Sequence, residues 1–320
     1  MLRKKELILI RYNTPLRFKN CPCCNLEENF FQFSEFGIFS SFFLKRVFLR
    51  CNSTPNQIYL CSGCKSKFFD VNLSNKQLSL LYSGYRGDKY FKQRNFFEPW
   101  YTRKINNGIG EEKNFSIRRA ELIRALAIAK IKNKFKNVLD HGGDKGQMLK
   151  KENNGINTNK RFVYEISGIQ PDSDVSSISY NRMIKEKWDF ILSCHVIEHL
   201  PDPKSYLKDL IKLGDKGTVF FIEVPNETWK SLSFNKSSIQ YSWLNWLTKK
   251  TMLLKLMHFI SIIFKLKFKF IPPFLFPALN EHLNFFTVKG LNNILVNSGL
   301  VVKACYVANS GHIIALAQKV

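Results

Sequence analysis

The chain has 320 residues, 45% of them hydrophobic, and its 49 Lys and Arg against 25 Asp and Glu give a formal charge of +24. That apolar content excludes a disordered polymer, and the length suits about two domains. The excess positive charge points to a polyanionic partner: nucleic acid, anionic lipid or a phosphate-bearing substrate.

Six of the eight cysteines (Cys21, Cys23, Cys24, Cys51, Cys61, Cys64) lie in the first 64 residues. The apolar run Leu7–Ile10 is too short for a signal peptide, and no uncharged apolar run approaches the ~20 residues of a spanning helix. The chain therefore reads as cytoplasmic, with reduced thiols rather than a disulfide scaffold. Cys21-Pro-Cys-Cys24 and Cys61-Ser-Gly-Cys64 are two C-x-x-C turns. Each can aim two thiolates at one tetrahedral ion, so Cys21, Cys24, Cys61 and Cys64 are expected to hold a structural Zn2+. The Phe-rich stretch Phe30–Phe48, Tyr59-Leu60 and Phe68-Phe69 read as short strands that need the metal to fold. Cys23 and Cys51 are assigned to packing. This gives a zinc ribbon over 1–75 and a linker over 76–115.

A helix is expected from Ser116 to about Lys132, with Ile117, Ala120, Ile123, Ala127 and Ile131 on one stripe. A strand then runs from Asn137 through Asp140 into Gly142-Gly143-Asp144-Lys145-Gly146, with a helix expected from near Gln147. Glycines in such a βα turn let backbone approach a ligand, and Asp140 could accept from an ammonium group. A second strand, Arg161–Tyr164, ends in Glu165, placed to hold both hydroxyls of a ribose. Trp188–Cys194 reads as a buried parallel strand and is followed by His195-Val196-Ile197-Glu198-His199-Leu200-Pro201-Asp202-Pro203. After a helix and the strand Thr218–Pro225, the chain reaches Glu281-His282-Leu283-Asn284-Phe285-Phe286, a helix over Val288–Ser298 and two strands joined at Asn309-Ser310-Gly311. The alternation predicts an α/β fold, a doubly wound Rossmann-like sheet over 116–320 with an antiparallel edge strand from the terminal hairpin.

Together, the glycine turn after Val138-Leu139-Asp140, the His195–Pro203 run and Glu281–Phe286 resemble the class I S-adenosylmethionine-dependent methyltransferases. The cysteine pairs make the chain more similar to the sugar and glycan members. The resemblance implies that Gly142, Gly143 and Gly146 floor the methionine portion of S-adenosylmethionine, that Asp140 orders that loop or its amino group, and that Glu165 takes the ribose. It also implies that Cys194 and His195 line the cofactor side, and that His199 and the Glu281-His282 pair serve the acceptor. Asp144 stands where many members have a further glycine, and Asp174 is the candidate acidic contact to adenine. The further C-terminal domain usual in the sugar C-methyltransferases does not fit this length, which favours O-methylation.

A hydroxyl acceptor must lose its proton, and histidine suits that near neutral pH. His199 and His282 are the candidate bases, with Glu281 or Glu198 as orienting partner. From Thr228 to Asn280 there are eight lysines and no acid, interleaved with Trp229, Trp243, Trp246 and many Leu, Ile and Phe. That composition, inserted at 228–280, suits a lid or an interfacial segment on an anionic membrane. The expected acceptor is a sugar hydroxyl on a nucleotide sugar or lipid-linked glycan, with peripheral attachment to the inner membrane face. An rRNA or tRNA methyltransferase gripping phosphate through ribbon and lysines is the alternative, and nothing resembles the Asn/Asp-Pro-Pro-Tyr loop of base amine methylation.

Overall fold

The computed structural model describes residues 20–26, 31–49, 52–151, 155–158, 160–231 and 237–320. Cys51 and Leu7–Ile10 lie outside them.

The first part of the described chain contains β1 (Phe31–Phe39), helix α1 (Ser41–Phe48), β2 (Thr54–Cys61) and β3 (Lys67–Phe69). Each of the three expected apolar segments contains a strand, but the second half of the first, 41–48, is a helix. Ser40 caps it, its hydroxyl accepting from the Phe43 amide, and Phe42, Phe43, Leu44 and Val47 are buried on its inner face. The segment 76–115, read as linker, folds into α2 (Asn75–Tyr82), α3 (Asp88–Phe97), α4 (Arg103–Gly108) and the start of α5 (Glu112–Ile128). Its helix signal is the Ser74/Gln77 capping box that opens α2.

Helix α5 buries Phe115, Leu122, Ala125 and Leu126, whereas Ile117 and Ala120 of the expected stripe are exposed. Two apolar stripes compete on this helix. The one bearing the larger Phe and Leu side chains wins, because burial gain scales with apolar area.

The main sheet follows. Its strands are β4 (Asn137–His141), β5 (Lys160–Tyr164), β6 (Ser176–Ser177), β7 (Trp188–Cys194) and β8 (Gly214–Pro225). Between them lie α6 (Tyr180–Met183) and α7 (Pro203–Lys212), and a single 3-10 turn, 147–149, stands where a helix was expected after the glycines. The next segment carries β9 (Lys230–Ser231), α8 (Ser237–Leu247), α9 (Thr251–Ile263), β10 (Phe270–Ile271), β11 (Ala278–Leu279) and β12 (Asn284–Phe285). Helix α10 (Val288–Asn297), β13 (Leu300–Val307) and β14 (His312–Lys319) complete the chain.

The seven strands lie in the order β13-β14-β8-β7-β4-β5-β6. Strands β8, β7, β4, β5 and β6 are mutually parallel, and β14 is antiparallel to both neighbours. The antiparallel strand is therefore internal rather than at the edge. The chain crosses from β8 to the outer position for β13, and the hairpin returns β14 into the gap. The expected Rossmann-like sheet is present, with Leu139, Ile191, Phe220 and Phe221 buried at its centre. Its strands read as continuous apolar runs because both faces are covered.

A second sheet has the order β11-β1-β2-β3-β12. The N-terminal strands are thus flanked on both sides by strands from 278–285. Glu35 of β1 fastens the assembly further. It accepts from Lys67 Nζ at 2.6 Å, Trp229 Nε1 at 2.9 Å and Ser231 Oγ at 2.6 Å, in a buried network.

Candidate functional site

The end expected to take the cofactor is built at the carboxyl ends of β4, β5 and β7, where an open α/β sheet binds ligands. Strand β4 delivers Asp140 into a fully buried position, and neither carboxylate oxygen has a hydrogen-bond partner. Burial pushes its pKa up to about 7, against the pull of Arg118. The turn beyond it requires glycine for a steric reason. A Cβ on Gly143 would lie 2.2 Å from the Asp140 carboxyl carbon, and Gly142 and Gly146 both adopt positive φ. Glu165 accepts from the amides of Asp144 at 3.1 Å and Ser167 at 2.8 Å, so it sits against the glycine turn. Asp144 is paired with Arg86 at 2.8 Å, which joins the turn to the loop between α2 and α3. Beyond that pair opens a cleft of about 590 Å3, lined by Tyr85, Arg86, Asn107, Asp144, Ser167 and Gly168 among others.

Cys194 is buried at the end of β7, beside Glu223 of β8. His195 follows in the left-handed region (φ 57°), its amide donating to the Glu223 carbonyl at 2.8 Å. The Glu223 carboxylate is buried and accepts from Arg118 Nη2 at 2.7 Å, with His312 Nδ1 at the same distance. Burial opposes its charge, but Arg118 holds it far below the usual carboxylate range.

The end expected to serve the acceptor starts on the 3-10 turn 197–199. The Asn284 side-chain amide donates to the carbonyls of Ile197, Glu198 and Leu200, which fixes this turn against β12. His199 and His282 meet with ring centroids 4.6 Å apart. His199 Nδ1 lies 2.7 Å from the Tyr82 hydroxyl, and burial holds its pKa down to about 4. His282 differs. Burial opposes its charge too, yet Glu227, 3.2 Å from its Nδ1, raises its pKa above the ordinary value. Partial burial opposes the charge of Glu227, but Lys265 Nζ at 2.8 Å holds its pKa well below the usual range. Glu198 is fully buried between the histidines, 3.3 Å from His195 Nδ1 and 3.8 Å from His199 Nε2, but neither oxygen is in hydrogen-bond alignment. One atom each of Glu198, His199 and His282 lie within 4.8 Å of one another, a group that could hold a cation.

The four ligand cysteines expected near the N-terminus do converge. Cys21 and Cys64 sulfurs are 3.7 Å apart, those of Cys24 and Cys61 are 3.4 Å apart, and all four lie within 4.8 Å. Four Zn–S bonds of about 2.3 Å at tetrahedral angles place sulfurs about 3.8 Å apart, so the donor set fits such an ion. The two turns are built alike. An amide four residues on closes each onto the first cysteine carbonyl (Asn25 onto Cys21, Lys65 onto Cys61), and Asn25 and Lys65 both have positive φ. Cys23 is buried beside the group but outside it.

The model of the family described as "Methyltransferase domain" matches residues 115–304, more than half of the chain. The chain belongs to the methyltransferase domain family. The domain is of the S-adenosylmethionine-dependent class. It is similar to a ubiquinone biosynthesis O-methyltransferase of Parvibaculum lavamentivorans, 38% identical over 66 residues. That match spans 21% of this chain and 26% of the relative. Among solved structures, a complex of the Haloferax volcanii Trm112 methyltransferase activator with a methyltransferase aligns at 10% identity and TM-score 0.37, covering 65% of this chain and 93% of that one. An O-methyltransferase family protein from Burkholderia thailandensis aligns at 10% identity and TM-score 0.35, covering 64% and 58% respectively.

Within this methyltransferase domain, Asp140, Gly142, Gly143, Gly146, Glu165, Cys194 and His195 gather around β4, β5 and β7, and His199 and His282 meet opposite them. Glu281 does not orient either imidazole. Its carboxylate takes the Tyr90 hydroxyl and Arg94 Nη1, and only its backbone carbonyl lies near His199 Nδ1, at 3.3 Å. Asp174 accepts from the Lys151 amide, at the outer rim. Sequence reasoning missed Glu227, Tyr82, Arg118, Glu223 and His312. Glu227 could have been found, because it follows directly on the carboxyl end of a parallel strand of this methyltransferase sheet. Tyr82 and Arg118 carry no such signal, since they arrive from α2 and α5.

Proposed function

We propose that the protein transfers a methyl group from S-adenosylmethionine to a hydroxyl of a sugar or glycan, with a structural zinc holding the N-terminal turns. The observation that carries the reading is the Glu227–His282 pair. It is a partly buried, carboxylate-oriented imidazole with its pKa raised above the ordinary value, set against the methyltransferase sheet.

When bound, S-adenosylmethionine supplies a sulfonium methyl that is already activated. The residues of the chain then have two tasks. Asp140 is an orphaned buried carboxylate suited to an ammonium group, and the glycine turn leaves room for main chain to approach it. Glu165, with a second lone pair on each oxygen, suits a ribose diol. At the other end, His282 removes the proton of an incoming hydroxyl, and Glu227 stabilises the imidazolium that results. His199, held neutral at pH 7, can hydrogen-bond the acceptor without competing for its proton. The O-methyltransferase name of the Parvibaculum relative supports oxygen as the methylated atom. Labelled S-adenosylmethionine, incubated separately with nucleotide sugars, membrane glycolipids and total RNA, tests this. Label in a glycan fraction, lost in His282→Ala, is expected, whereas label only in RNA would replace the reading with the RNA methyltransferase alternative.

A second reading of the acceptor end rests on Glu198, whose oxygens have no aligned donor. A divalent cation held by Glu198, His199 and His282 would bind the acceptor hydroxyl and lower its pKa. Chelation that abolishes turnover, with magnesium or manganese restoring it while the thiolate zinc is retained, favours that reading. Turnover indifferent to chelation favours the base.

A further inference from the structure

Helix α9 and the π-turn 264–268 that continues it bury Leu254, His258 and Ser261 on the inner side. A surface helix of this kind normally turns polar side chains outward. Here the outer stripe is Met252, Leu256, Phe259, Ile263 and Leu266, each from 39% to 80% exposed. The spacing is four, three, four and three residues, one continuous face about 20 Å long. An apolar face of this extent on a soluble chain marks a contact surface.

Two features of the same region choose the occupant. The first is charge. No Asp or Glu occurs between Thr228 and Asn280, while Lys249, Lys250, Lys267 and Lys269 are exposed around the stripe. The second is the kind of apolar residue at its ends. Half-exposed Trp246 stacks on Trp243 at 5.2 Å before α9, exposed Phe268 closes the π-turn, and exposed Phe96 of α3 lies beneath Lys255. Aromatic rings and lysines bordering an aliphatic stripe match the headgroup level of an anionic bilayer, where aliphatic chains bury shallowly and ammonium groups reach phosphate. Among the described residues no helix is long and apolar enough to cross a membrane, so the contact is parallel to the surface.

We propose that α9 and the π-turn form a docking face for an anionic lipid surface. The face lies next to the acceptor end, because Lys265 of the π-turn is the residue that pairs with Glu227. An acceptor carried on a lipid would thus meet His282 from the side on which the protein rests. That last point rests on the proposed glycan reading, but the docking itself does not.

Sedimentation of the full chain with vesicles tests it without reference to catalysis. Vesicles of phosphatidylcholine with 30% phosphatidylglycerol should bind about tenfold or more better than pure phosphatidylcholine, and about 0.5 M salt should remove most of the difference. The double variant Met252→Glu/Leu256→Glu changes only exposed positions. It should keep the wild-type melting temperature and lose binding about tenfold or more, and Lys249→Ser/Lys250→Ser should weaken it severalfold. Equal, negligible sedimentation with both lipids overturns the proposal, as does wild-type binding by the Glu double variant. Binding to RNA with none to vesicles overturns it too. Methyl transfer by a protein that ignores vesicles would sink the docking face and leave the proposed reaction intact.

Discussion

The two ends of the candidate site are built in opposite ways. At the proposed cofactor end, Asp140, the glycine turn, Glu165, Cys194 and His195 all come from strand ends of one sheet, and the closest approaches are local, such as Gly143 against Asp140. At the proposed acceptor end, His199, His282, Glu227, Tyr82 and Lys265 come from five separate segments, and their geometry exists only once the second sheet and α2 have packed. The ionisation states differ in kind as well. Asp140 is a buried acid without a hydrogen-bond partner, whereas Glu227 is a partly buried acid with two. An incomplete polar site waits for a ligand, and a satisfied one positions a neighbour. Variants should expose this contrast, since damage at the acceptor end should reach the rate and damage at the cofactor end the affinity.

The largest effect is expected from His282→Ala, a loss of about 10²–10⁴ in turnover with S-adenosylmethionine affinity nearly unchanged. Steady-state kinetics with parallel calorimetry would show whether rate and affinity separate in this way. Glu227→Gln should give a smaller loss with a distinctive pH signature. Glu227 raises the pKa of His282, so its removal lowers that pKa, and the rising limb of the rate profile should move to lower pH. A limb that stays in place would mean that His282 is not the titrating base.

At the other end, Glu165→Ala should weaken S-adenosylmethionine binding by about 1.5–3 kcal/mol, the range for hydrogen bonds to a charged group. Unchanged affinity would remove Glu165 from the ribose. Asp140 offers a subtler test. Its folded-state pKa is raised to about 7, so the folded protein binds that proton more tightly than the unfolded chain. The stability it contributes is full below the ordinary carboxylate range near 4 and is lost as pH rises through about 7. An ammonium ligand needs the ionised form, so cofactor affinity should climb across that same upper limb, and Asp140→Asn should flatten the climb. The smallest change is expected for Arg86→Ala. The Arg86–Asp144 pair is partly exposed, and pairs of that kind are worth about 0–1 kcal/mol.

The same contrast explains what could be read from the sequence. The parallel strands announce themselves as apolar runs, and a glycine turn or C-x-x-C pair is a short-range signal tied to a short-range geometry. The gathering of Asp140, the glycine turn and Glu165 at the strand ends, and the convergence of the four cysteines, were therefore legible. The partner of His282 was not. Glu281 adjoins it in sequence, but its carboxylate turns to Tyr90 and Arg94, and Glu227 reaches the ring from the end of β8. The tertiary pairing of β12 with β3 decides this, and no periodicity encodes it. Helix α5 shows the same limit at the level of packing, since stripe spacing alone did not rank Phe115 and Leu122 above Ile117. The position of β14 inside the sheet likewise follows from the hairpin's return path and not from its residues.

The second sheet sets an order of events during folding. Ile38 pairs with Ala278 and Lys67 with Phe285, so the outer edges of β1 and β3, away from β2, lie uncovered until nearly the whole chain is available. Contacts so distant in sequence close slowly, and in the interval two strand edges stand open to pairing with another chain. The cysteine turns need only residues 21–64 and can close around a metal long before that. On the proposed zinc reading, metal supply during synthesis should therefore govern yield more than it governs the stability of the finished protein. Expression starved of zinc should give aggregates, while chelation after folding should meet a site already shielded by α10, where Asn297 and Thr287 hold the carbonyls of Cys23 and Cys64.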